Sequence, residues 1–273
     1  MKIYIVNKKT KEENIQKKYP DALILDVTST SKYESLRILS PFYPHRNIPI
    51  PGMLGKTAVC VEAIWQGLKI FENCGVDYST FCNDTMQDIK RTVRKYGKPV
   101  GHKYENRIIN YADARWLIYL PSYLYMLENF PNVQNTIVKI KEKLKEKDIV
   151  LLDYNTNCNI ADYSKPLSHA GLIKLYIEGE YPNFEDRLKY ETWNKILELK
   201  ECYEGTKEDF ILSIISHSKY EHRKHDKLIK KIKSMKDLNF KEIAVLGGKG
   251  RTKWREIIKD IQNPQKYEQL SLF

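Results

Sequence analysis

Glu62, Gln66 and Lys69 are the first residues whose types and spacing could do chemistry. Spaced at i, i+4 and i+7, they share one face of a helix. A carboxylate there can activate water or stabilise positive charge, an amide can orient a sugar hydroxyl, and an amine can hold a phosphate or a leaving group. The same spacing also describes a plain solvated stripe. An apolar stripe of Val61, Ile64, Trp65, Leu68 and Phe71 runs alongside. The polar groups therefore stand at the edge of a core, where a cleft can form.

Three other passages carry candidate groups. Residues 153–157 read Asp153-Tyr-Asn155-Thr156-Asn157 after an apolar run. A buried strand ending this way delivers hydrogen-bonding groups to the C-terminal edge of a sheet, a common ligand position. An Asx-turn that caps its own backbone is the competing reading. In residues 166–170, Ser168 and His169 fall in the first turn of an expected helix, where free N–H groups favour an anion. A capping or packed histidine fits there equally. Residues 40–52 hold four prolines in thirteen positions, which forbids a helix and makes a stiff loop. Ser40, Phe42 and Tyr43 lie in it as ligand-contacting candidates. Lys56 follows as a second candidate amine. His217, His222 and His225 are too loosely spaced to expect a metal, and neither a metal nor a cofactor is expected.

The elements that must position these groups follow from periodicity. Short strands are expected at residues 2–6 and 22–27, flanking a helix at 11–19. Helices are expected at 58–73, 84–95, 112–129 (kinked near Pro121), 135–147 and 166–178, with a strand at 149–153. The fold class is α+β, mainly helical with a small sheet. Three parts are expected: a catalytic domain over 1–184, a basic and mostly helical appendage over 185–261, and a flexible tail over 262–273.

The chain has 273 residues and a net charge of +11. Residues 219–259 hold 14 Lys+Arg against 5 Asp+Glu, so most of the excess sits there. Such a segment attracts polyanions by counterion release. Arg223, Lys230, Lys249, Arg251 and Lys253 are its DNA-binding candidates. The last three lie in a Gly-rich loop at 247–253, which suits phosphate contact without matching a Walker A pattern. The five cysteines show no C-x-x-C spacing, which points away from a disulfide framework and toward a reducing, cytoplasmic setting. No apolar run reaches the ~20 residues of a membrane span, and the basic start does not read as a signal peptide.

Several passages together resemble one family. The run VEAIWQGLKIF at 61–71 resembles the V-E-x-x-x-Q-x-x-K-F helix of NADAR proteins, and SPFYP at 40–44 is similar to the loop before it. LLDYNTN at 151–157, SKPLSHAGLI at 164–173 and GEYP at 179–182 resemble the NADAR branch paired with DNA-modifying DarT toxins. The resemblance spans roughly residues 22–182. It implies a NADAR-type fold and an N-glycosidase that removes ADP-ribose from the exocyclic amine of guanine in DNA. It further implies Glu62, Lys69, Lys56 and Asp153 as catalytic candidates, with Trp65, Gln66, Asn155, Thr156, Asn157, Ser168 and His169 around the ligand. Ala63 and Ile64 stand where many members carry His-Tyr, and Arg46 stands where a small residue is expected, so substrate choice stays open. A nucleotide N-glycosidase acting on a small molecule and a non-catalytic reader of ADP-ribosylated DNA are the alternatives. The tail Gln269-Leu270-Ser271-Leu272-Phe273 resembles the motif by which bacterial replication and repair proteins bind the sliding clamp. That clamp, ADP-ribosylated DNA and a DarT-type toxin are the implied partners, with no membrane.

Overall fold

The structure is a computed structural model, and it describes residues 1–187 and 190. A first compact unit runs from Met1 to Arg187. It mixes helices and strands as an α+β unit. The elements expected beyond residue 190, the basic segment and the tail among them, lie outside the described residues.

In chain order the unit holds β1 (Ile3–Asn7), α1 (Glu12–Lys18), β2 (Leu23–Asp26), α2 (Glu34–Arg37), β3 (Ile48–Pro49), β4 (Thr57–Ala58), α3 (Val61–Leu68) and β5 (Lys69–Phe71). There follow α4 (Val93–Tyr96), β6 (Pro99–Tyr104), β7 (Arg107–Ile109), α5 (Tyr111–Ala114), α6 (Leu120–Asn129), α7 (Pro131–Glu146), β8 (Ile149–Asp153) and α8 (His169–Ile177). The strand β8 lies between β1 and β2 and is parallel to both, with Asn7 opposite Asp153 and Asp26 opposite Leu152. Ile149, Val150 and Leu151 are fully buried. This suits a central parallel strand covered on both faces. All three strands end at the same edge, and there their apolar sequences give way to Asn7, Asp26 and Asp153.

A second sheet, β5-β6-β7, is antiparallel and continues directly from α3. The helix was expected to reach residue 73, but it stops at Leu68. The carbonyls of Gln66 and Lys69 are taken by the Arg91 guanidinium rather than by a further turn. Gly67 also packs against the Phe81 ring, where a Cβ would come within 2.3 Å. Lys69, Ile70 and Phe71 pair with β6 instead, which takes Lys69 out of the helix and into a strand.

The helix expected over 84–95 is mostly absent, with only Val93–Tyr96 helical. Asn83 accepts hydrogen bonds from the Thr85 N–H and hydroxyl, an Asx-turn, and Met86 and Asp88 take positive φ. The expected helix at 112–129 is present with a π turn over Arg115–Tyr119, just before Pro121. Pro121 lacks the N–H that a regular turn needs, so the irregularity falls ahead of it. The helix α8 begins at His169 rather than at residue 166. No helix among the described residues is long and apolar enough to cross a membrane.

Candidate functional site

The parallel sheet's C-terminal edge, α3, the loop at 40–42 and the helical run at 111–119 enclose one cavity of about 400 Å³. Such a volume suits a nucleotide-sized ligand. Glu62, Trp65, Gln66 and Lys69 line it from α3 and the start of β5. Ser40 and Phe42 come from the proline-rich loop, and Asp153, Asn155 and His169 from the opposite side. Residues scattered over 130 positions of sequence are thus brought to one place.

The polar stripe of α3 is wired together. Gln66 Nε2 donates to Glu62 Oε1 at 2.7 Å, and Lys69 Nζ donates to Gln66 Oε1 at 3.2 Å. The backbone N–H of Arg91 takes the same Gln66 oxygen at 3.1 Å, which fixes the amide's orientation. The Glu62 N–H donates to the Pro41 carbonyl at 2.8 Å, tying the helix start to the stiff loop. Burial pushes the Glu62 carboxyl above the ordinary carboxylate range, against the pull of Gln66, Lys90, Lys69 and His169. Burial pulls the Lys69 amine down, Glu62 opposes this, and Arg91 and Lys90 add to the depression. A carboxyl moved up beside an amine moved down in a cavity marks these two residues as candidates for chemistry.

Across the cavity, Asp153 Oδ2 accepts from Ser168 Oγ at 2.7 Å and pairs with His169 Nδ1 at 2.9 Å. His169 Nε2 faces the Val27 carbonyl at 2.9 Å. Both ring nitrogens face acceptors, an arrangement that favours the doubly protonated ring. Burial opposes that charge, but Asp153 and the Val27 carbonyl outweigh it and raise the His169 pKa. For Asp153, burial pushes upward and is overcome by the His169 charge and the hydrogen bonds from His169, Ser168 and Ala170.

The site has parts that sequence reasoning missed. Tyr111, Arg115 and Tyr119 line the cavity at i, i+4 and i+8, and that spacing was the available signal. Arg115 is 1% exposed and donates to the carbonyls of Ile160, Asp162 and Lys165 and to the Tyr111 hydroxyl. It is a clamp on the 160–165 loop that also brings a positive charge. The Tyr119 hydroxyl makes no hydrogen bond among the described residues. Its pKa is raised, first by burial and then by Glu62 and Asp153, so it stays protonated as a donor. Thr28, Ser29, Pro41, Lys90, Tyr154, Pro166 and Leu167 complete the lining. Lys90 stands 5.4 Å from the centre of the Phe42 ring. Even with the Lys69 amine neutral, Lys90, Arg115 and His169 outnumber the carboxylates Glu62 and Asp153, which favours an anionic ligand.

Five expected site residues do not line the cavity. Lys56 is exposed in the turn between β3 and β4. Tyr43 donates its hydroxyl to Glu34 at 2.8 Å. Thr156 is exposed, and Asn157 is turned to the carbonyls of Asp162 and Lys165. Ser168 is fully buried and caps α8 by accepting from the Gly171 N–H at 3.2 Å, so it acts through Asp153. Arg223, Lys230, Lys249, Arg251 and Lys253, and the tail from Gln269 to Phe273, lie outside the described residues.

The profile of a family of unknown function, DUF6939, matches residues 7–173. The chain belongs to that family. Every cavity-lining residue lies inside the match, whereas the basic segment at 219–259 lies beyond it. A search of curated proteins found no match to the chain.

Proposed function

We propose that this protein is an N-glycosidase that removes ADP-ribose from guanine bases in DNA, built on a NADAR-type fold. The observation that carries the reading is the hydrogen-bonded Glu62–Gln66–Lys69 relay in a cavity walled by Phe42, Trp65, Tyr111, Tyr119 and Tyr154. The rings suit planar bases, and the excess of lining cations suits a diphosphate. The motif resemblance of residues 61–71 and 151–173 to NADAR proteins supports the same chemistry.

In this reading the anomeric carbon of the distal ribose sits beside Glu62. As its bond to the guanine nitrogen breaks, positive oxocarbenium character builds on the ribose, and the Glu62 carboxylate stabilises it. The exocyclic amine of guanine leaves with the bonding pair and takes up the proton that Lys69 sheds as it adds. Lys69, with its amine pKa lowered, adds to the carbon and loses a proton. The adduct opens to an imine, and water then releases ADP-ribose and restores the amine. Asp153 holds His169 as a fixed positive charge facing the diphosphate, and Tyr119 and Asn155 meet sugar hydroxyls.

The clamp-like tail would tether the enzyme to replicating DNA and raise its local concentration there. Pairing with a DarT-type toxin fits the same substrate. The test is release of ADP-ribose from an oligonucleotide modified on guanine, with Glu62→Gln as the comparison. Release by wild type at least about a hundredfold faster than by the variant supports the reading, and release by neither protein overturns it.

A further inference from the structure

Lys90 and Tyr111 both line the cavity, so the chain between them leaves the site and returns to it. On that excursion Arg94, Lys95, Lys98 and Arg107 are exposed and Lys103 is half-buried. With Lys90 they make six surface cations, against Glu105 as the one carboxylate in 90–107. None of the six forms an ion pair among the described residues. Of the acids near the segment, Asp84 is tied to Arg46, while Glu72, Asp88 and Glu105 stand outside any ion pair among the described residues, so six cations face three carboxylates and the surface keeps a positive balance. The β6–β7 hairpin sets Lys103 opposite Ile108 and Tyr104 opposite Arg107. Ile108 and Tyr111 are 54% and 39% exposed, which leaves flat or apolar surface between the charges.

We infer that α4 and the β6–β7 hairpin form a track for single-stranded nucleic acid, which leads a modified base into the cavity. The inference rests on the proposed reading of the cavity. Phosphates would sit on the six cations, and exposed side chains at Ile108 and Tyr111 would meet bases. A base must leave its stack to enter an aromatic-walled cavity, which favours a single strand over a duplex. The exposed apolar side chains Val93, Val100 and Ile108 are interspersed along the chain with Arg94, Lys95, Lys98 and Arg107, so the segment is charged rather than apolar.

The test uses the full chain and its R94E/K95E/K98E/R107E variant, all four sites lying outside the cavity lining. Fluorescence anisotropy with an unmodified single-stranded oligonucleotide is measured across a salt series. Each lost phosphate contact lowers the slope of log affinity against log salt by ~0.7, so four should flatten it by about 3. The basic segment at 219–259 is common to both proteins, so the difference reports the hairpin surface. Hydrolysis of ADP-ribosylated guanosine, which is too short to touch the track, should be unchanged. An unchanged slope would overturn the inference, as would tighter binding of wild type to polyglutamate or to anionic vesicles than to the oligonucleotide. If the slope flattens while neither protein hydrolyses the nucleoside, the track stands and the cavity reading fails.

Discussion

Replacing Glu62 with glutamine removes one charge and leaves the local shape nearly intact. The side-chain oxygen that accepts from Gln66 at 2.7 Å is retained, and the backbone bond to Pro41 is untouched. Binding of the ground state should therefore change little, and the loss should fall on the step that develops positive charge. A positioned carboxyl contributes about 10²–10⁴ in rate, or about 2.7–5.4 kcal/mol of barrier. Stability should move the other way. Burial raises the Glu62 pKa above 4.5, so the folded state holds the proton more tightly than the unfolded chain. The ionised form then costs stability, and that cost is fully present once pH has risen past the raised value. At pH 7 the glutamine variant should accordingly be the more stable protein, by about 1 kcal/mol, as is common when a strained functional site is relieved. Single-turnover release of ADP-ribose gives the rate, and thermal denaturation gives the stability. The part of the wild-type acid limb of kcat/KM that reports Glu62 should lie above pH 4.5 and disappear in the variant, which keeps only the limb set by the Lys69 amine. Activity within threefold of wild type would refute the role, and so would a rate loss that tracks a lower thermal midpoint.

Asp153→Asn leaves the His169 charge buried without its partner, which should cost about 3–5 kcal/mol in urea denaturation. The wild-type pair adds most stability between pH 3.8 and 6.5. That contribution is lost as pH falls through the depressed Asp153 value or rises through the raised His169 value, so the variant's stability should be flatter with pH. Tyr119→Phe removes a hydroxyl with no hydrogen-bond partner among the described residues. It should leave stability within about 0.5 kcal/mol and lower kcat/KM about three- to tenfold, the worth of one hydrogen bond to ligand. Borohydride added during turnover should trap an ADP-ribose adduct on Lys69, found by peptide mass spectrometry, and Lys69→Met should abolish it. An adduct on Lys56 would contradict the geometry. Deleting Gln269 to Phe273 should abolish sliding-clamp binding in calorimetry and leave hydrolysis of a short oligonucleotide unchanged, since Leu270, Leu272 and Phe273 could each bury ~1.5–3 kcal/mol.

The α3 stripe was legible because its helical period holds from Val61 to Leu68. The β8 end was legible because an apolar strand gives way abruptly to Asp153. The stop at Leu68 was not legible, because it depends on Arg91, a residue distant in sequence that takes the helix's last carbonyls. The β6–β7 hairpin was missed because its residues lack clean alternation: Gly101 and His102 are both buried and adjacent. His102 packs 4.0 Å from the Trp65 ring, and burial lowers its pKa to about 3, so it acts as an apolar prop for that wall. Lys56 read as a candidate because its type suits an imine, and residue type says nothing of where a turn points it. The Tyr111–Arg115–Tyr119 ladder was missed because its i, i+4, i+8 spacing lies in an aromatic, apolar helix that reads as plain core.

The most direct measurement is intact mass spectrometry of a single-stranded oligonucleotide carrying ADP-ribose on one guanine, before and after incubation with the full chain. Return to the unmodified mass is expected, with guanine intact and free ADP-ribose in solution, and with Glu62→Gln the same products form at least a hundredfold more slowly, the lower end of the about 10²–10⁴ that such a group contributes. An adduct that persists at stoichiometric enzyme, or one that leaves with its guanine to yield an abasic site, would contradict the proposed function.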